Sequence, residues 1–293
     1  MALLLKKNNT LSTKRPSYHQ QETPLLEGRE GNSPQEHWLL IDVGNTFTKF
    51  AHATAGGFFL AEQKPTSSLS RTILEEIISS TSLQRVIMAS VLPEVTSWIT
   101  HFFREKRIPL LCPDATLDLG IRMLYPSSSS LGADRLANII ATHYFYGFPA
   151  IVVAFGTAIT LDVLDEEGAY LGGVIAPGLN MAAEALHQKT ALLPQTHPTP
   201  IEYALGQNTQ EAIHAGILLG ARGLLREVLS RVRKENLHHK KPLLLATGGD
   251  AELVAHGEEL FDYLDPTLTL QGLRKIGTLC PPDYSTQHHV EAS

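Results

Sequence analysis

A glycine-bearing turn follows the apolar run from Trp38 to Val43, which predicts a buried strand. The segment reads Asp42-Val43-Gly44-Asn45-Thr46, and Lys49 follows three residues later. A glycine here lets successive backbone N–H groups converge on an anion, to which Asn45, Thr46 and Lys49 add donors. Asp42 is the kind of carboxylate that holds Mg²⁺ through water beside nucleotide phosphates. A β-hairpin with only local hydrogen bonds is the alternative, and strand alternation leaves the direction of Lys49 open.

A second turn of this kind lies at Gly156-Thr157-Ala158-Ile159-Thr160, again between two apolar runs. Alone it is a common turn sequence. Together with the first turn it supplies a second anion site, and two such sites facing each other would grip a polyphosphate in a cleft. The sequence has no Walker phosphate loop and no dinucleotide-binding glycine pattern after its first strand. A nucleotide enzyme with this sequence would therefore bind phosphate with hairpin turns.

A third glycine turn, Thr247-Gly248-Gly249-Asp250, follows the apolar run PLLLA. Its composition is typical of a passage from a strand into a helix with Asp250 as the N-cap. A contact with the nucleoside is the alternative. The residues alone leave both open.

Asp134 and Arg135 stand at the start of a predicted long helix, in the segment LGADRLANIIA. A carboxylate in this position interacts favourably with the helix dipole. It is also suited to accept a proton from an attacking hydroxyl in phosphoryl transfer. The planar fork of Arg135 suits a substrate carboxylate. The structural and catalytic interpretations both remain open at this point.

The composition narrows the class of protein. The chain has 293 residues, with 24 basic and 30 acidic side chains and a formal net charge of −6, which argues against a dedicated nucleic-acid binder. The two cysteines, Cys112 and Cys280, are far apart, so we expect neither a disulfide scaffold nor a zinc site, and we expect a cytoplasmic protein. No apolar run approaches the roughly 20 residues that span a membrane.

Hydrophobic periodicity predicts a mixed α/β chain. The predicted strands are 38–43, 47–53, 58–64, 85–91, 150–156, 157–165, 169–177 and 242–247, and the predicted helices are 69–80, 95–105, 132–146, 180–188, 208–234, 250–256 and 268–275. A strand, a glycine turn and a second strand occur near 38–53 and again near 150–164. We therefore expect a duplicated fold with a cleft between its halves. The polar ends, 1–36 and 281–293, are expected to be a disordered N-terminal tail and a loose C-terminal tail.

Seven segments resemble those of type III pantothenate kinases in their order and approximate spacing. They read DVGNTFTK, LGADRLAN, GTAITLD, YLGGVIAPGLNM, LGQNTQEAIHAGILLGARG, ATGGDA and LDPTLTLQGL. The resemblance covers about residues 38 to 275. It implies the fold of the acetate and sugar kinase, Hsp70 and actin superfamily, with ribonuclease-H-like domains at 37–149 and 150–280, and a homodimer. The implied reaction is ATP-dependent phosphorylation of pantothenate to 4′-phosphopantothenate, the first step of coenzyme A biosynthesis.

The resemblance also assigns roles by position. The first phosphate loop would comprise Asp42, Gly44, Asn45 and Thr46, with Asp42 near Mg²⁺, and the second would comprise Gly156, Thr157 and Thr160. Asp134 matches the catalytic base. Positions around pantothenate match Tyr125, Gly132, Arg135 and, from the partner subunit, Thr209.

The sequence departs from the family pattern at Ala154, where the family usually has an acid that belongs to a site for K⁺ or NH₄⁺. A methyl group does not ligate a cation, so we expect the protein to depend less on K⁺ or NH₄⁺ than the family pattern implies. The loop YPSSSSLGADR also differs, since the family tends to have Asn and a charged residue between its Tyr and Leu-Gly. Two alternatives follow: a catalytically silent regulatory relative that binds ATP without turnover, and a different small-molecule phosphotransferase or phosphatase.

Overall fold

The computed structural model describes residues 36–79, 81–126 and 130–280. The predicted tails lie outside these ranges, apart from Glu36. Within the same ranges no helix is long and apolar enough to cross a membrane.

The first half of the chain forms a five-stranded sheet. Its strands, in the spatial order β3-β2-β1-β4-β5, are β1 (Trp38–Val43), β2 (Phe47–Ala53), β3 (Phe58–Pro65), β4 (Arg85–Ser90) and β5 (Leu110–Leu111). Helices α1 (Arg71–Ile78) and α2 (Pro93–Glu105) cover one face. The buried residues of that face, including Leu39, Ile41 and Phe50, pack with Leu74 of α1 and Phe103 of α2.

The second half repeats this architecture. Its sheet has the order β10-β9-β6-β7-β8, with β6 (Ala150–Phe155), β7 (Ala158–Leu164), β8 (Tyr170–Pro177), β9 (Leu243–Thr247) and β10 (Tyr263–Leu264). In both sheets the second strand is antiparallel to the first and the fourth is parallel to it. Helices α4 (Leu179–Lys189), α5 (Thr209–Glu235) and α6 (Ala251–Ala255) pack on the outer face. The expected duplication is therefore confirmed, and two ribonuclease-H-like α/β units make up the fold.

Two helices, α3 (Ala133–Ala141) and α7 (Leu268–Leu279), lie between the sheets. One core joins Leu40 of the first sheet and Val152 of the second to Leu136 of α3 and Leu273 of α7. Because α7 follows the predicted boundary at 149/150 but packs against β1 and β4, the two halves share a core. The boundary itself stays a prediction.

The crossing of α3 and α7 is close because Gly272 has no side chain. A Cβ at Gly272 would lie 1.9 Å from the carbonyl oxygen of Ala137. Thr269 of α7 also donates a hydrogen bond to the Asn138 side chain of α3 over 3.0 Å. These contacts fix the helix that carries Asp134 relative to α7.

Most predicted elements are present, with differences that have local causes. The helix expected at 69–80 begins at Arg71, because the Ser70 side chain caps it by accepting from the Ile73 N–H. Pro93 occupies the first turn of α2 and extends that helix to an earlier start than 95. The helix expected at 132–146 is α-helical to Ala141 and continues as a π-helical turn, Thr142–Tyr146. The two-residue strands β5 and β10 were not predicted.

Candidate active site

The two glycine turns occupy equivalent places in the two sheets. Each joins the first strand to the second, and each is closed by one backbone bond: Gly44 N–H donates to Phe47 O over 3.0 Å, and Gly156 N–H donates to Ala158 O over 3.1 Å. Asn45, Thr46 and Thr157 are exposed. Both turns thus have hairpin geometry, and their polar groups remain accessible to a ligand.

Thr66 supports the first turn from behind. Its N–H donates to Thr46 O over 2.9 Å, and its hydroxyl donates to Gly44 O over 2.7 Å. Thr48 shares a 3.0 Å hydroxyl contact with Thr66. Because two carbonyls of the turn are held on the protein side, the turn presents donors to the cleft.

Gly178 supports the second turn. Its N–H donates to Thr157 O over 3.0 Å. A Cβ at Gly178 would lie 2.2 Å from Gly156 O and 2.4 Å from Thr157 O. Only glycine fits this approach, and the sequence showed Gly178 only as part of a longer motif with no role attached.

Asp42 and Lys49 form a cross-strand pair on the first sheet. They are register partners in β1 and β2, so their side chains share one face. That register settles the direction of Lys49, which strand alternation left open. Burial raises the pKa of Asp42 to about 6, the charge of Lys49 lowers it, and the charge of Asp134 raises it. The Lys49 ammonium also donates to Pro266 O over 2.9 Å.

Asp134 lies in the first turn of α3, directly between the two sheets. Gly132 precedes the helix, and a Cβ there would lie 2.6 Å from the Asp134 Oδ1. Glycine at this position therefore leaves room for the half-buried carboxylate. The charge of Asp134 acts on Asp42 and raises the pKa of that carboxyl group, so the two acids lie near each other.

Arg135 forms a buried cluster with Asp162 and Tyr170. Its Nη2 donates to Asp162 Oδ1 over 2.6 Å and to the Tyr170 hydroxyl over 3.0 Å, and its Nε lies 3.2 Å from Asp162 Oδ1. The Tyr170 hydroxyl donates to the same Oδ1 over 2.8 Å. Burial raises the pKa of Asp162, and Arg135 opposes that rise. The fork expected to meet a substrate carboxylate is bound here to a carboxylate of the protein.

Asp162 and Tyr170 were missed by the sequence reasoning. The available signal was Asp162 itself, a charged residue in the otherwise mostly apolar run ITLDVL. Strand alternation places its side chain on the same face as that of Thr160. Its partner could not be read from the sequence, because Arg135 lies on a helix that reaches the sheet from the other half of the chain.

Tyr125 and Thr209 lie at the edges of this region. The Tyr125 ring packs edge-on against Tyr170, with ring centres 5.7 Å apart. Thr209 is the exposed first residue of α5, which Asn208 caps by accepting from the Glu211 N–H over 2.9 Å. Tyr125 therefore joins the Arg135 cluster, whereas Thr209 stands on the outer helix layer.

The second sheet has a neutral pair where the first has Asp42 and Lys49. Ala154 is the fifth residue of β6, as Asp42 is of β1, and its register partner is Thr160 of β7. Within the described part of the chain, the buried Thr160 hydroxyl has no hydrogen-bond partner. On the other side Ala154 pairs with Thr247 of β9. No carboxylate belongs to this row, so the residues present do not fit a monovalent cation of the kind that the family pattern implies.

The third glycine turn packs on the second one. Gly248 has a φ of 96°, and a Cβ there would lie 2.3 Å from Phe155 O. Asp250 N–H donates to that same oxygen over 3.1 Å. Asp250 is the N-cap residue of α6, as predicted, but its side chain makes no capping bond to the helix. Burial raises the pKa of the half-buried carboxyl group.

Metal binding at this cleft would involve few protein ligands. Over the described ranges, no group of three or more His, Cys, Asp or Glu side chains is arranged to hold a metal ion. Asp42 is therefore suited to the mode in which Mg²⁺ takes one carboxylate and completes its shell with water and phosphate oxygens.

The repeated sheets and their equivalent glycine turns define the fold, which consists of two ribonuclease-H-like α/β units. A putative Baf family transcriptional activator from Campylobacter jejuni shares this fold, with a TM-score of 0.54 and 21% identity over 82% of this chain and 98% of that one.

The family model for type III pantothenate kinase matches residues 38–231. A type III pantothenate kinase from Methylacidiphilum infernorum is 36% identical over 82% of this chain and 88% of its own length. One from Akkermansia muciniphila is 39% identical over 81% of this chain and 96% of its own length. The chain belongs to the type III pantothenate kinase family.

Replacing Asp42 with Asn tests how much burial of the ionised Asp42 carboxylate lowers the free energy of unfolding. The folded pKa of about 6 lies above the ordinary 3.8, so between these values the folded protein keeps a proton that the unfolded chain releases. The wild-type free energy of unfolding should therefore fall as pH rises through this interval, and Asp42→Asn should lack this contribution. Above the interval the variant should be more stable by roughly 1–3 kcal/mol.

Urea unfolding between about pH 4 and pH 7 measures this difference. Glu259→Gln removes an exposed acid elsewhere on the surface and serves as the control. Parallel pH profiles for wild type and Asp42→Asn would contradict the assignment.

Proposed function

We propose that the protein transfers the γ-phosphoryl group of ATP to the primary hydroxyl of pantothenate and releases 4′-phosphopantothenate. This is the first step of coenzyme A biosynthesis. The observation that carries the proposal is that Asp134 lies in the first turn of α3, the helix packed between two sheets with equivalent glycine turns, in a chain of the type III pantothenate kinase family. The two free cysteines are compatible with the reducing cytoplasm, where we place the protein.

The two turns bind the triphosphate in this proposal. Asn45 and Thr46 donate from the first sheet, and Thr157 donates from the second. Gly44 and Gly156, whose N–H groups close the turns, let the phosphates approach the backbone. Lys49 adds positive charge beside Asp42 and leaves its contact with Pro266 O to reach a phosphate. Thr160 follows the second turn in β7, and its buried hydroxyl, which has no partner among the described residues, supplies a further donor.

Mg²⁺ bound near Asp42 would neutralise charge on the phosphates. Asp42 suits this role because its pKa of about 6 leaves the carboxylate ionised at neutral pH. The cation charge would favour the ionised form further.

Asp134 acts as the general base. It accepts the proton of the pantothenate hydroxyl as that hydroxyl attacks the γ-phosphate, while the donors of the two turns stabilise the charge on the transferring group. Gly132 leaves space for the carboxylate, and Tyr125 and Arg135 line the wall beside it.

The active form is a homodimer in this proposal. Large apolar side chains stand exposed beside α4 and before α5, with Leu192 92%, Leu205 78% and Tyr203 73% exposed. Ile175, on the edge strand β8, is exposed as well. Exposed apolar side chains that lie together are typical of a surface that a partner covers, and we assign these to the dimer interface. A second copy that covers it would bring Thr209 of one subunit towards pantothenate in the other.

Asp134→Asn should lower kcat by about 10²–10⁴-fold and leave ATP binding largely intact. The substitution removes the proton-accepting carboxylate, and the Asn side chain has nearly the same size and shape as Asp. The assay couples ADP release to pantothenate in the presence of ATP and Mg²⁺. Glu94→Gln is the matched control, since Glu94 is also an acid in the first turn of a helix.

An unchanged kcat in Asp134→Asn would remove this residue from the mechanism and leave only its interaction with the helix dipole. ATP binding by wild type without any turnover would favour the catalytically silent relative instead. Turnover with other hydroxyl acceptors but not with pantothenate would indicate a different phosphotransferase.

The neutral row at Ala154 predicts a rate that changes little when K⁺ is replaced by Na⁺. Ala154→Asp introduces a carboxylate beside the Thr160 hydroxyl and should create a K⁺ dependence. Ala154→Asn, of the same size and without charge, should not. A strong K⁺ requirement in the wild type would show that another residue ligates the cation.

Sedimentation equilibrium should give a mass twice the 32.1 kDa of one chain. Leu205→Lys should shift the protein towards monomer and lower its activity, because the charge enters the apolar patch. Phe59→Lys is the control, since Phe59 is similarly exposed but belongs to β3 of the first sheet. A monomeric, fully active wild type would contradict the dimer.

A further inference from the structure

Arg135 is bound along one edge of its guanidinium group. Nε and Nη2 both contact Asp162, and Nη2 also contacts Tyr170. Across the described residues, Nη1 has no hydrogen-bond partner, and it is absent from the buried atoms that lack one. One nitrogen therefore remains to donate to a ligand.

The charge of Arg135 is already balanced. Asp162 is 1% exposed and its Oδ1 lies 2.6 Å from the Arg135 Nη2. The two opposite charges cancel, so the pair adds no net charge to the cleft. Recognition of a carboxylate by arginine normally uses two parallel N–H donors and an uncompensated positive charge. Arg135 offers neither, because its paired donors and its charge are used within the protein.

The backbone beside this cluster keeps the arrangement rigid. A Cβ at Gly173 would lie 2.7 Å from the Arg135 Nη2, 2.9 Å from Asp162 Oδ1 and 2.2 Å from Leu161 O. At Gly172, which has a φ of 133°, a Cβ would lie 3.5 Å from the Tyr125 ring. The two glycines of β8 thus make room for the Arg135 cluster and for Tyr125 at its side.

The position next to Asp134 indicates which part of the substrate Arg135 meets. Pantothenate carries a second hydroxyl and an amide carbonyl near its reacting hydroxyl, and its carboxylate at the far end. We propose that Asp162 and Tyr170 are positioning residues that hold Arg135 as a single-point donor to an uncharged oxygen of pantothenate near the reacting hydroxyl. Arg135 is then not a clamp for the carboxylate. This inference rests on the proposed function.

Pantothenol, in which an alcohol replaces the carboxylate of pantothenate, distinguishes the two roles. Arg135→Gln should lower kcat/KM for pantothenate and for pantothenol by the same factor, about 10–100-fold, as expected for a lost hydrogen bond from a charged donor. A carboxylate clamp would instead make pantothenate lose far more than pantothenol.

Tyr170→Phe tests the positioning role without leaving a buried charge unpaired. It should raise KM for both compounds equally, by about 2–10-fold, with kcat and the KM for ATP nearly unchanged. Tyr144→Phe is the matched control, because the Tyr144 hydroxyl also donates one hydrogen bond, to Leu119 O over 2.9 Å, elsewhere. Thermal unfolding of each variant shows whether it is folded.

Calorimetric binding of pantothenol to Arg135→Gln and Tyr170→Phe gives a second readout that does not depend on turnover. Unchanged affinity and KM in both folded variants, or a selective loss of pantothenate, would overturn the inference. Phosphorylation of neither compound by the wild type would be a failure of the proposed function, and the inference would fall with it.

Discussion

The close crossing of α3 and α7 is the constraint on which the site depends. Gly272 brings the α7 backbone against Ala137 of α3, and the two helices fill the space between two sheets that would otherwise expose their inner faces. Because α3 begins at the cleft, this packing sets the position of Asp134 relative to both turns. On the inner face of β1, the apolar Leu40 packs in the shared core, and two residues further along the same face the polar Asp42 lies beside the first turn.

The two halves share a topology but differ in charge. The first sheet presents Asp42 opposite Lys49, whereas the second presents Ala154 opposite Thr160. One row is suited to a divalent metal and phosphate, and the other is neutral. Asp162, the buried acid one step further along β7, is balanced by Arg135. The negative charge of the cleft therefore comes mainly from Asp42 and Asp134, which is compatible with the approach of a metal-bound polyphosphate.

Local sequence patterns were sufficient for the long elements and for the turns. The run WLLIDV and the alternating FTKFAHA predict β1 and β2 with the bounds that the structure has. The two-residue strands β5 and β10 carry no periodicity, so they could not be found. The direction of Lys49 depended on register, and the role of Gly178 on a contact with a turn about 20 residues earlier in the chain. Asp162 and Tyr170 become functional candidates only because α3 brings Arg135 into contact with both.

A crystal structure with a non-hydrolysable ATP analogue, Mg²⁺ and pantothenate tests the central claim most directly. We expect the terminal phosphate to lie between the Gly44 and Gly156 turns, with the primary hydroxyl of pantothenate about 2.6–3.2 Å from the Asp134 carboxylate. A triphosphate held by only one turn, or a pantothenate hydroxyl out of reach of Asp134, would contradict the claim that the duplicated sheets form one phosphoryl-transfer site.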